Sequence, residues 1–342
     1  MTFWQERYLA SFERVFRLCG VQPGDACAVL SETASREDLR RLAAAALERM
    51  GAQVMQLVVS TPASDYRLPI RSTGATQCLA GMPHAVKALS GCAFIADCTV
   101  EGLQHAAELP AILAAGARVL VISQEHPETL LRCEPRAEDE MPVRNAMRQL
   151  RQAQNMHVTS SAGTDLHVSL AGARVGGVWG HTAKPGSLTH WPGGLVLAFP
   201  AAGTVRGTVV LAPGDVNLTF KTYVRDTVVL ALEGDHVVQV SGSGVDAQMM
   251  RGYFEAWNDP LAYAVSHVGW GLNRLARWDA MTFYDKQDFN GTELRAFAGS
   301  FLFSTGANEV AGRHTAGHFD LPLCGCTVDI DDVTVVRGGQ LL

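Results

Sequence analysis

The stretch ACAVLSETASREDLRRLAAAALERMGAQVMQLVVS, residues 26–60, contains a strand, a helix and a second strand in that order. ACAVLSE (26–32) and AQVMQLVVS (52–60) are short apolar runs, and the residues between them have helical spacing that stops at Gly51. Apolar strands separated by helices are typical of a parallel sheet that is covered on both faces. The stretch therefore predicts an α/β fold at the start of the chain.

The same alternation continues beyond this stretch. An amphipathic helix over 2–19 precedes it, and a strand over 92–100, a helix over 104–115 and a strand over 117–124 follow it. We therefore predict an α/β domain with a parallel sheet over residues 1–150. No G-x-G-x-x-G or P-loop joins a strand to a helix here, so a dinucleotide-binding role is not supported.

The pattern changes in the second half of the chain. A helix over about 141–154 leads to shorter strands that are punctuated by glycine and interrupted by one helix over 246–258. Short strands with frequent turn signals are typical of an antiparallel sheet in a barrel or sandwich. We therefore predict an α+β domain with an antiparallel, barrel-like sheet over residues 151–342.

Composition narrows the class of protein. The 342 residues include 47% hydrophobic and 18% charged side chains, enough for a sizeable buried core. The formal net charge is −6 without any run of Lys and Arg, which argues against a nucleic-acid partner. No apolar run approaches the roughly 18 residues that span a bilayer, so no membrane partner is expected. The start is not a signal peptide and the eight cysteines follow no disulfide spacing, so we expect a cytoplasmic protein.

Near the end of the chain, GHFDLPL (317–323) places His318 and Asp320 one residue apart in a predicted apolar strand. Alternate residues of a strand point to one face about 6.5–7 Å apart, so both side chains can reach one metal ion. An imidazole and a carboxylate on an apolar strand are costly to bury unless an ion neutralises them. His126 and Glu128 have the same spacing, but they flank a proline in a connection and are expected to be solvated.

His267, in the stretch SHVGWGL (266–272), is the candidate for a third ligand. A histidine in this setting is typical either of a packed core residue or of a metal ligand. Together with His318 and Asp320 it makes two histidines and one carboxylate, which match the facial triad of non-haem Fe(II) oxygenases. Such a triad leaves adjacent metal positions open for a bidentate substrate and O2. The sequence therefore predicts a metal site in the second domain.

Other histidines are candidates for moving a proton. His190, in THWPGG, is stiffened by the tryptophan and proline that follow it. His105 follows the strand over 92–100, at the sheet edge where open parallel sheets meet ligands. From the residues alone, an exposed loop position is the better interpretation of His105. We interpret His167 and His181 as structural or surface groups.

Longer motifs resemble those of a known family. The motifs are AGTDLH (162–167), HWPGG (190–194), SHVGWGL (266–272), FLFSTG (301–306) and GHFDLPL (317–323). In this order, and over essentially the whole chain, they resemble the 2,5-dihydroxypyridine 5,6-dioxygenase family of bacterial nicotinate degradation. More distantly, the chain is similar to the M29-type metal aminopeptidases, which also have two domains.

The resemblance implies an Fe(II) enzyme that uses O2 to open a hydroxylated pyridine between C5 and C6, giving N-formylmaleamate. It places the iron ligands on His267, His318 and Asp320. It also places two histidines close to the site, His105 and His190, which reverses the interpretation of His105 as a loop residue. Which of these two transfers a proton stays open. The family further implies a homo-oligomer.

Ser304 and Thr305, in FSTG, lie beside the predicted ligand strand. Their hydroxyl groups are candidates for hydrogen bonds to the substrate, with an ordinary turn as the alternative. Both interpretations stay open at the level of sequence.

Two departures from the related families bear on function. Residues 175–186 lack the acid that we expect from the dioxygenase, so the ring substituents that the site accepts stay open. Residues 201–207 lack the carboxylate that the aminopeptidases place there, which weakens a dinuclear peptidase. A metal-dependent hydrolase of the M29 aminopeptidase type is nevertheless the alternative enzyme, and it predicts two metals and no need for O2. A binding protein without iron is the third alternative.

Overall fold

The computed structural model describes residues 3–63, 75–286 and 289–342, with side chains from Glu6 onward. The chain forms two compact units. Unit 1 contains Met1–Glu140, Val178–Gly193 and Thr282–Glu293, and unit 2 contains Met141–Gly177, Gly194–Met281 and Leu294–Leu342.

The predicted domains, 1–150 and 151–342, stay a prediction, because the compact units divide the chain at other places. Unit 2 begins at Met141, and two segments from the second half of the chain, 178–193 and 282–293, belong to unit 1. A change of sequence pattern indicates one boundary along the chain. It does not show which later segments return to the first unit, since that depends on contacts between residues far apart in sequence.

Helices and strands follow one another along the described residues. The helices are α1 (Phe3–Leu18), α2 (Glu37–Arg49), α3 (Pro83–Ser90), α4 (Leu109–Ala114), α5 (Pro127–Arg132), α6 (Glu140–Gln152), α7 (Val245–Trp257) and α8 (Thr292–Ala296). The strands are β1 (Ala26–Glu32), β2 (Gln53–Val59), β3 (Phe94–Cys98), β4 (Arg118–Val121), β5 (Asn155–Ser160), β6 (Asp165–Ser169), β7 (Arg174–Val178), β8 (Ser187–His190), β9 (Leu195–Phe199), β10 (Val205–Leu211), β11 (Val216–Asn217), β12 (Thr222–Tyr223), β13 (Val228–Glu233), β14 (His236–Ser241), β15 (Val265–Gly271), β16 (Phe301–Thr305), β17 (Phe319–Leu323), β18 (Cys326–Ile330), β19 (Val333–Arg337) and β20 (Gln340–Leu341). None of these helices is both long enough and apolar enough to cross a membrane.

Unit 1 is built on a sheet with the strand order β2-β1-β3-β4-β8. Each neighbouring pair in this sheet is parallel, so the predicted parallel sheet is confirmed. β8 is not evident from the sequence pattern, because it is short and partly polar and pairs with a strand that lies far earlier in the chain. This pairing sets Val121 of β4 beside His190 of β8.

Alternate residues of β1 point into two apolar clusters, one on each face of this sheet. Cys27 and Val29 belong to a cluster with residues of α1 and α2, and Ala28 and Leu30 belong to a cluster with residues of α3 and α4. These four side chains are at most 1% exposed. Burial on both faces explains why the opening stretch has apolar strands without a polar face.

The loop after β3 is fixed by the carboxylate of Asp97, which is fully buried. This carboxylate accepts hydrogen bonds from the backbone N–H groups of Thr99 and Leu103, at 3.0 and 2.8 Å. Because the loop is held in this way, α4 begins only at Leu109, later than the sequence pattern indicated. The same loop carries His105 at the carboxyl edge of the parallel sheet.

Unit 2 contains two larger sheets. One has the order β14-β13-β10-β6-β5-β18-β19-β20, and the other has the order β17-β16-β15-β9-β7. The predicted antiparallel pairing is confirmed. Over the described residues no strand pairing joins the two edge strands of either sheet, so neither sheet forms a closed barrel there. In the second sheet β15 lies at the centre and is buried along its whole length.

Gly269 in β15 allows the backbone of β9 to approach closely. A Cβ atom at this position would lie 1.9 Å from the carbonyl oxygen of Val196, so Gly269→Ala must push the two strands apart. We expect the substitution to lower the free energy of unfolding by about 1–3 kcal/mol or more. Urea denaturation measures this change.

Gly252→Ala in α7 is the matched control, since a Cβ atom there meets nothing within 4 Å. This exposed helical position should gain up to about 1 kcal/mol from alanine. Equal effects of the two substitutions would contradict the close packing of β9 against β15.

Candidate metal centre

A β-bulge in β15 determines the direction of His267. The ladder between β15 and β16 pairs Val265 with Thr305 and then Val268 with Phe303. Ser266 and His267 together therefore oppose the single residue Ser304. A bulge of this kind re-aims a side chain, and bulges are frequent next to functional sites.

The bulge brings His267 to the carboxylate of Asp320. Asp320 lies in β17 directly opposite Ser304 of β16, and His318 immediately precedes that strand. Nε2 of His318 lies 3.1 Å from Oδ1 of Asp320, and Nε2 of His267 lies 3.5 Å from the same oxygen. The three residues are at most 7% exposed. The structure thus brings the three predicted ligands together; their role as ligands stays a prediction.

Arg295 and Ser304 hold the carboxylate of Asp320 from the other side. Nε of Arg295, in α8, donates a hydrogen bond of 2.6 Å to Oδ2, and the Ser304 hydroxyl donates one to Oδ1. Burial alone would raise the pKa of Asp320. The Arg295 guanidinium and the neighbouring imidazoles outweigh burial and hold this pKa well below its usual range. Asp320 is therefore ionised at neutral pH.

Sequence reasoning missed Arg295. The available signal is a single arginine within the otherwise small or apolar stretch RAFAGSFLF, residues 295–303. A buried arginine needs a buried partner. The sequence does not show that this partner is Asp320, because α8 and β17 meet only in the folded unit.

Ser266 orients the imidazole of His267. Its hydroxyl oxygen lies 3.0 Å from Nδ1 of His267, and its hydroxyl proton is donated to the carbonyl oxygen of Ala307. The oxygen of Ser266 therefore accepts the proton on Nδ1, which leaves the lone pair on Nε2. This lone pair faces the oxygen of Asp320, and two acceptors repel each other unless a proton or a metal ion lies between them.

His318 is held by its backbone. Its carbonyl oxygen accepts hydrogen bonds from the hydroxyl groups of Thr219 and Tyr253, at 2.9 and 3.1 Å, and its N–H donates to Tyr253 at 3.2 Å. Gly306 has a positive φ of 118°, and a Cβ there would lie 2.4 Å from the carbonyl oxygen of Gly317. The glycines of FSTG and GHFD thus allow β16 and the start of β17 to approach each other beside His318.

The donor set fits a divalent metal ion. Metal bonds of about 2.0–2.2 Å to nitrogen and oxygen place adjacent ligand atoms about 3 Å apart. The 3.1 and 3.5 Å distances from Asp320 to the two imidazoles are close to this value. The ring centroids of His267 and His318 are 5.9 Å apart, so a shared ion would draw the two rings together.

The predicted substrate residues differ in position. Ser304 faces Asp320, whereas Thr305, the next residue of β16, pairs with Phe319 and points to the opposite face of the strand. Thr305 is fully buried, and its hydroxyl has no hydrogen-bond partner within the described part of the chain. The predicted contacts of both residues with substrate stay predictions.

His105 and His190 belong to unit 1. His105 lies in the loop after β3 and His190 is the last residue of β8, so both lie at the carboxyl edge of the parallel sheet, and both are half-buried. Nε2 of His190 lies 3.0 Å from the side-chain oxygen of Gln104. Trp191 is fully buried and donates a hydrogen bond of 3.0 Å to the carbonyl oxygen of Cys133, so the residue after His190 is fixed. Their predicted roles in proton transfer stay predictions.

Comparison with known proteins identifies the family. Over residues 7–342 the sequence matches the NicX family, described as 2,5-dihydroxypyridine 5,6-dioxygenase. The chain belongs to this family. The resemblance predicted from the motifs is therefore confirmed. Of the enzyme classes that the sequence left open, family membership supports the dioxygenase.

Relatives support this placement over nearly the whole chain. A 2,5-dihydroxypyridine 5,6-dioxygenase of Pseudomonas putida KT2440 is 36% identical over 337 residues, which are 97% of this chain and 95% of that protein. A solved structure of 2,5-dihydroxypyridine dioxygenase from the same bacterium has a TM-score of 0.92 at 34% identity, covering 99% of this chain and 97% of that one.

A more distant structure shares the fold. Wild-type AmpT from Thermus thermophilus has a TM-score of 0.66 at 16% identity, covering 99% of this chain and 100% of that one. The expected likeness to the M29-type aminopeptidases is confirmed at the level of fold. At this identity the likeness extends no further.

Arg295→Met tests the balance of charge around Asp320. The substitution leaves a buried carboxylate without its cation, so the metal-free protein should lose about 3–5 kcal/mol of unfolding free energy at neutral pH. The folded-state pKa of Asp320 is depressed, so its stabilisation is present above the usual aspartate pKa and is lost as pH falls. The gap between variant and parent should therefore narrow in acid. Denaturation at several pH values measures it.

Arg148→Met is the control, because Arg148 is exposed on α6. We expect a change within about 0.5 kcal/mol at every pH. An Arg295→Met protein as stable as the control would contradict the buried ion pair.

Proposed function

We propose that this protein is an Fe(II)-dependent dioxygenase that opens 2,5-dihydroxypyridine between C5 and C6 with O2. The product is N-formylmaleamate, which contains both oxygen atoms of O2, and the reaction belongs to nicotinate degradation. The observation that carries the proposal is the convergence of His267 and His318 on one oxygen of Asp320, in a member of the 2,5-dihydroxypyridine 5,6-dioxygenase family.

The ligand set suits mononuclear iron. Two imidazole nitrogens and one carboxylate oxygen on one face leave adjacent positions for substrate and O2. When bound, Fe(II) supplies a Lewis acid and a path for electrons between the ring and O2. Arg295 occupies Oδ2 of Asp320, so Oδ1 is the oxygen that faces both imidazoles and is available to the metal.

Charge at the site favours an anionic substrate. Asp320 contributes one negative charge, and Arg295 offsets it with one positive charge. The net charge of Asp320 and Arg295 together is therefore zero. A bound divalent cation adds two positive charges, which this ion pair does not neutralise. A hydroxypyridine that has lost the proton of its 5-hydroxyl group binds such a site better than the neutral ring. Ser304, through its hydrogen bond to Asp320, keeps the carboxylate fixed while the substrate binds.

We propose that a histidine of unit 1 accepts the proton that the 5-hydroxyl group of the substrate loses. Imidazole exchanges protons near neutral pH, and both His105 and His190 lie at the carboxyl edge of a parallel sheet, where ligands are commonly met. Gln104 fixes the ring of His190 through its 3.0 Å contact with Nε2. One of the two histidines accepts the hydroxyl proton of the substrate and later returns it to the opened ring.

The family also leads us to propose a homo-oligomer that works in the cytoplasm. Its substrates are a small hydroxylated pyridine and O2. Light scattering of the purified protein would give the mass of the particle, and a particle of single-chain mass would contradict the oligomer.

Oxygen uptake tests the proposed reaction. Protein loaded with Fe(II) without air is mixed with 2,5-dihydroxypyridine in oxygenated buffer, while O2 and the ultraviolet absorption of the ring are followed together. We expect one O2 to disappear with each ring. If iron binds but no O2 is consumed, 2,5-dihydroxypyridine is not the substrate. If no iron binds, the three residues are not a facial triad for iron, and the metal-dependent hydrolase becomes the better explanation.

Variants separate the roles of the residues in the same assay. His318→Ala, Asp320→Ala and His267→Ala should lose both iron and turnover. His105→Ala or His190→Ala should keep iron and lower kcat by about 10²–10⁴, the range typical of a lost general acid or base. Iron analysis and oxygen uptake measure the two effects separately.

His84→Gln is the control, because His84 is exposed on α3. It should change neither iron content nor rate. Full activity of His267→Ala would contradict the ligand assignment, and loss of iron in His105→Ala or His190→Ala would contradict their assignment to proton transfer.

A further inference from the structure

A second group of ligand-type side chains lies on the hairpin of β5 and β6. The antiparallel ladder pairs His157 of β5 directly with His167 of β6. Asp165 is two residues before His167 on the same strand, so it points to the same face and lies diagonally across from His157. The pleat of the sheet thus puts two imidazoles and one carboxylate side by side.

The three side chains converge on one point. Nε2 of His157 lies 2.7 Å and Nε2 of His167 lies 3.3 Å from Oδ1 of Asp165. The two rings are stacked, with centroids 4.3 Å apart and planes 9° from parallel. One ligand atom from each residue lies within 4.8 Å of the other two. The ligand atoms therefore need only small movements to share an ion at bond lengths of about 2.0–2.2 Å.

The cluster lies on the solvent face of the sheet. The intervening residues Met156, Val158, Leu166 and Val168 point to the other face and are at most 1% exposed. The core therefore fixes the backbone beneath the cluster, while His157 is half-buried and the other two are exposed. A bound ion would keep positions open to water.

The neighbouring strands add one charge on each flank. On β18, Asp329 pairs with His157, and on β10, Arg206 pairs with His167. The carboxylate of Asp329 accepts a hydrogen bond of 2.6 Å from the hydroxyl of Thr334. The two flanking charges are opposite, so they offset each other, and the carboxylate of Asp165 is the charge at the centre.

We propose that His157, Asp165 and His167 form a second metal site, separate from the candidate metal centre, that binds a divalent transition-metal ion such as Zn²⁺. Two neutral imidazoles and a carboxylate form a donor set that binds zinc, nickel or copper more strongly than magnesium or calcium. Water completes the coordination on the exposed side. The proposal does not depend on the dioxygenase activity.

The competing explanation is a hydrogen-bonded cluster in which both imidazoles share the carboxylate without any ion. It accounts for the same distances, but it predicts no zinc affinity. The two explanations therefore differ in a measurable quantity. The linear sequence supports neither, because His157 and His167 become neighbours only through the register of the hairpin.

Zinc titration of the iron-loaded protein tests the proposal. Fe(II) first fills the candidate metal centre without air, and the protein is then dialysed against Zn²⁺ while both metals are measured by mass spectrometry. We expect one zinc to bind per chain with iron retained, and zinc to raise Tm. His157→Gln and His167→Gln should each weaken zinc binding by at least about tenfold and abolish the rise in Tm.

Two checks keep the result interpretable. His84→Gln, which removes an exposed histidine from another surface, should bind zinc like the parent, and the zinc-free variants should keep the Tm of the parent. The proposal would be overturned if no zinc bound in addition to the iron, or if zinc bound only as iron was lost. It would also be overturned if His84→Gln weakened zinc binding as much as the two hairpin variants do. If the two hairpin variants lower Tm without zinc and the parent binds none, the hydrogen-bonded cluster is the correct explanation.

Discussion

The structure of the site depends on one buried carboxylate, that of Asp320. A carboxylate removed from water must be compensated by opposite charge and hydrogen bonds, or it becomes protonated. Here Arg295 holds one oxygen at 2.6 Å, and Ser304 and two imidazoles surround the other. These contacts keep the group ionised and restrict it to one orientation. An ionised oxygen that faces two imidazoles suits a cation, and the proposed function rests on this arrangement.

The fold supplies the contacts of this carboxylate through local departures from regular structure. The bulge in β15 turns His267 toward β17, and Ser266 next to it fixes the ring. The backbone of His318 is held by Thr219 and Tyr253 just before β17 begins. Close approach of the strands depends on Gly306. The candidate ligands therefore come from a buried sheet, whereas His105 and His190 lie at the carboxyl edge of the parallel sheet in unit 1.

Sequence reasoning predicted the elements of the fold better than it predicted how they meet, and its choice of metal ligands stays a prediction. The apolar run of β1 and the H-x-D spacing at His318 have local signatures, so the parallel sheet and two of the candidate ligands are evident in linear order. His267 has a weaker local signature, because a buried histidine is also typical of a core, and the family motif added support to the match with a facial triad. Arg295 and the strand β8 were not found, since each is defined by a partner far along the chain. Strand spacing indicated the antiparallel pairing, but it does not show whether the edge strands of a sheet join.

The most direct test of the central claim is an anomalous diffraction experiment on crystals of the protein loaded with Fe(II) without air. Data collected on both sides of the iron absorption edge give a difference map in which only iron contributes. We expect one strong peak per chain, in contact with the imidazole nitrogens of His267 and His318 and with Oδ1 of Asp320. A peak at other residues, or none in crystals whose iron content is confirmed, would contradict it.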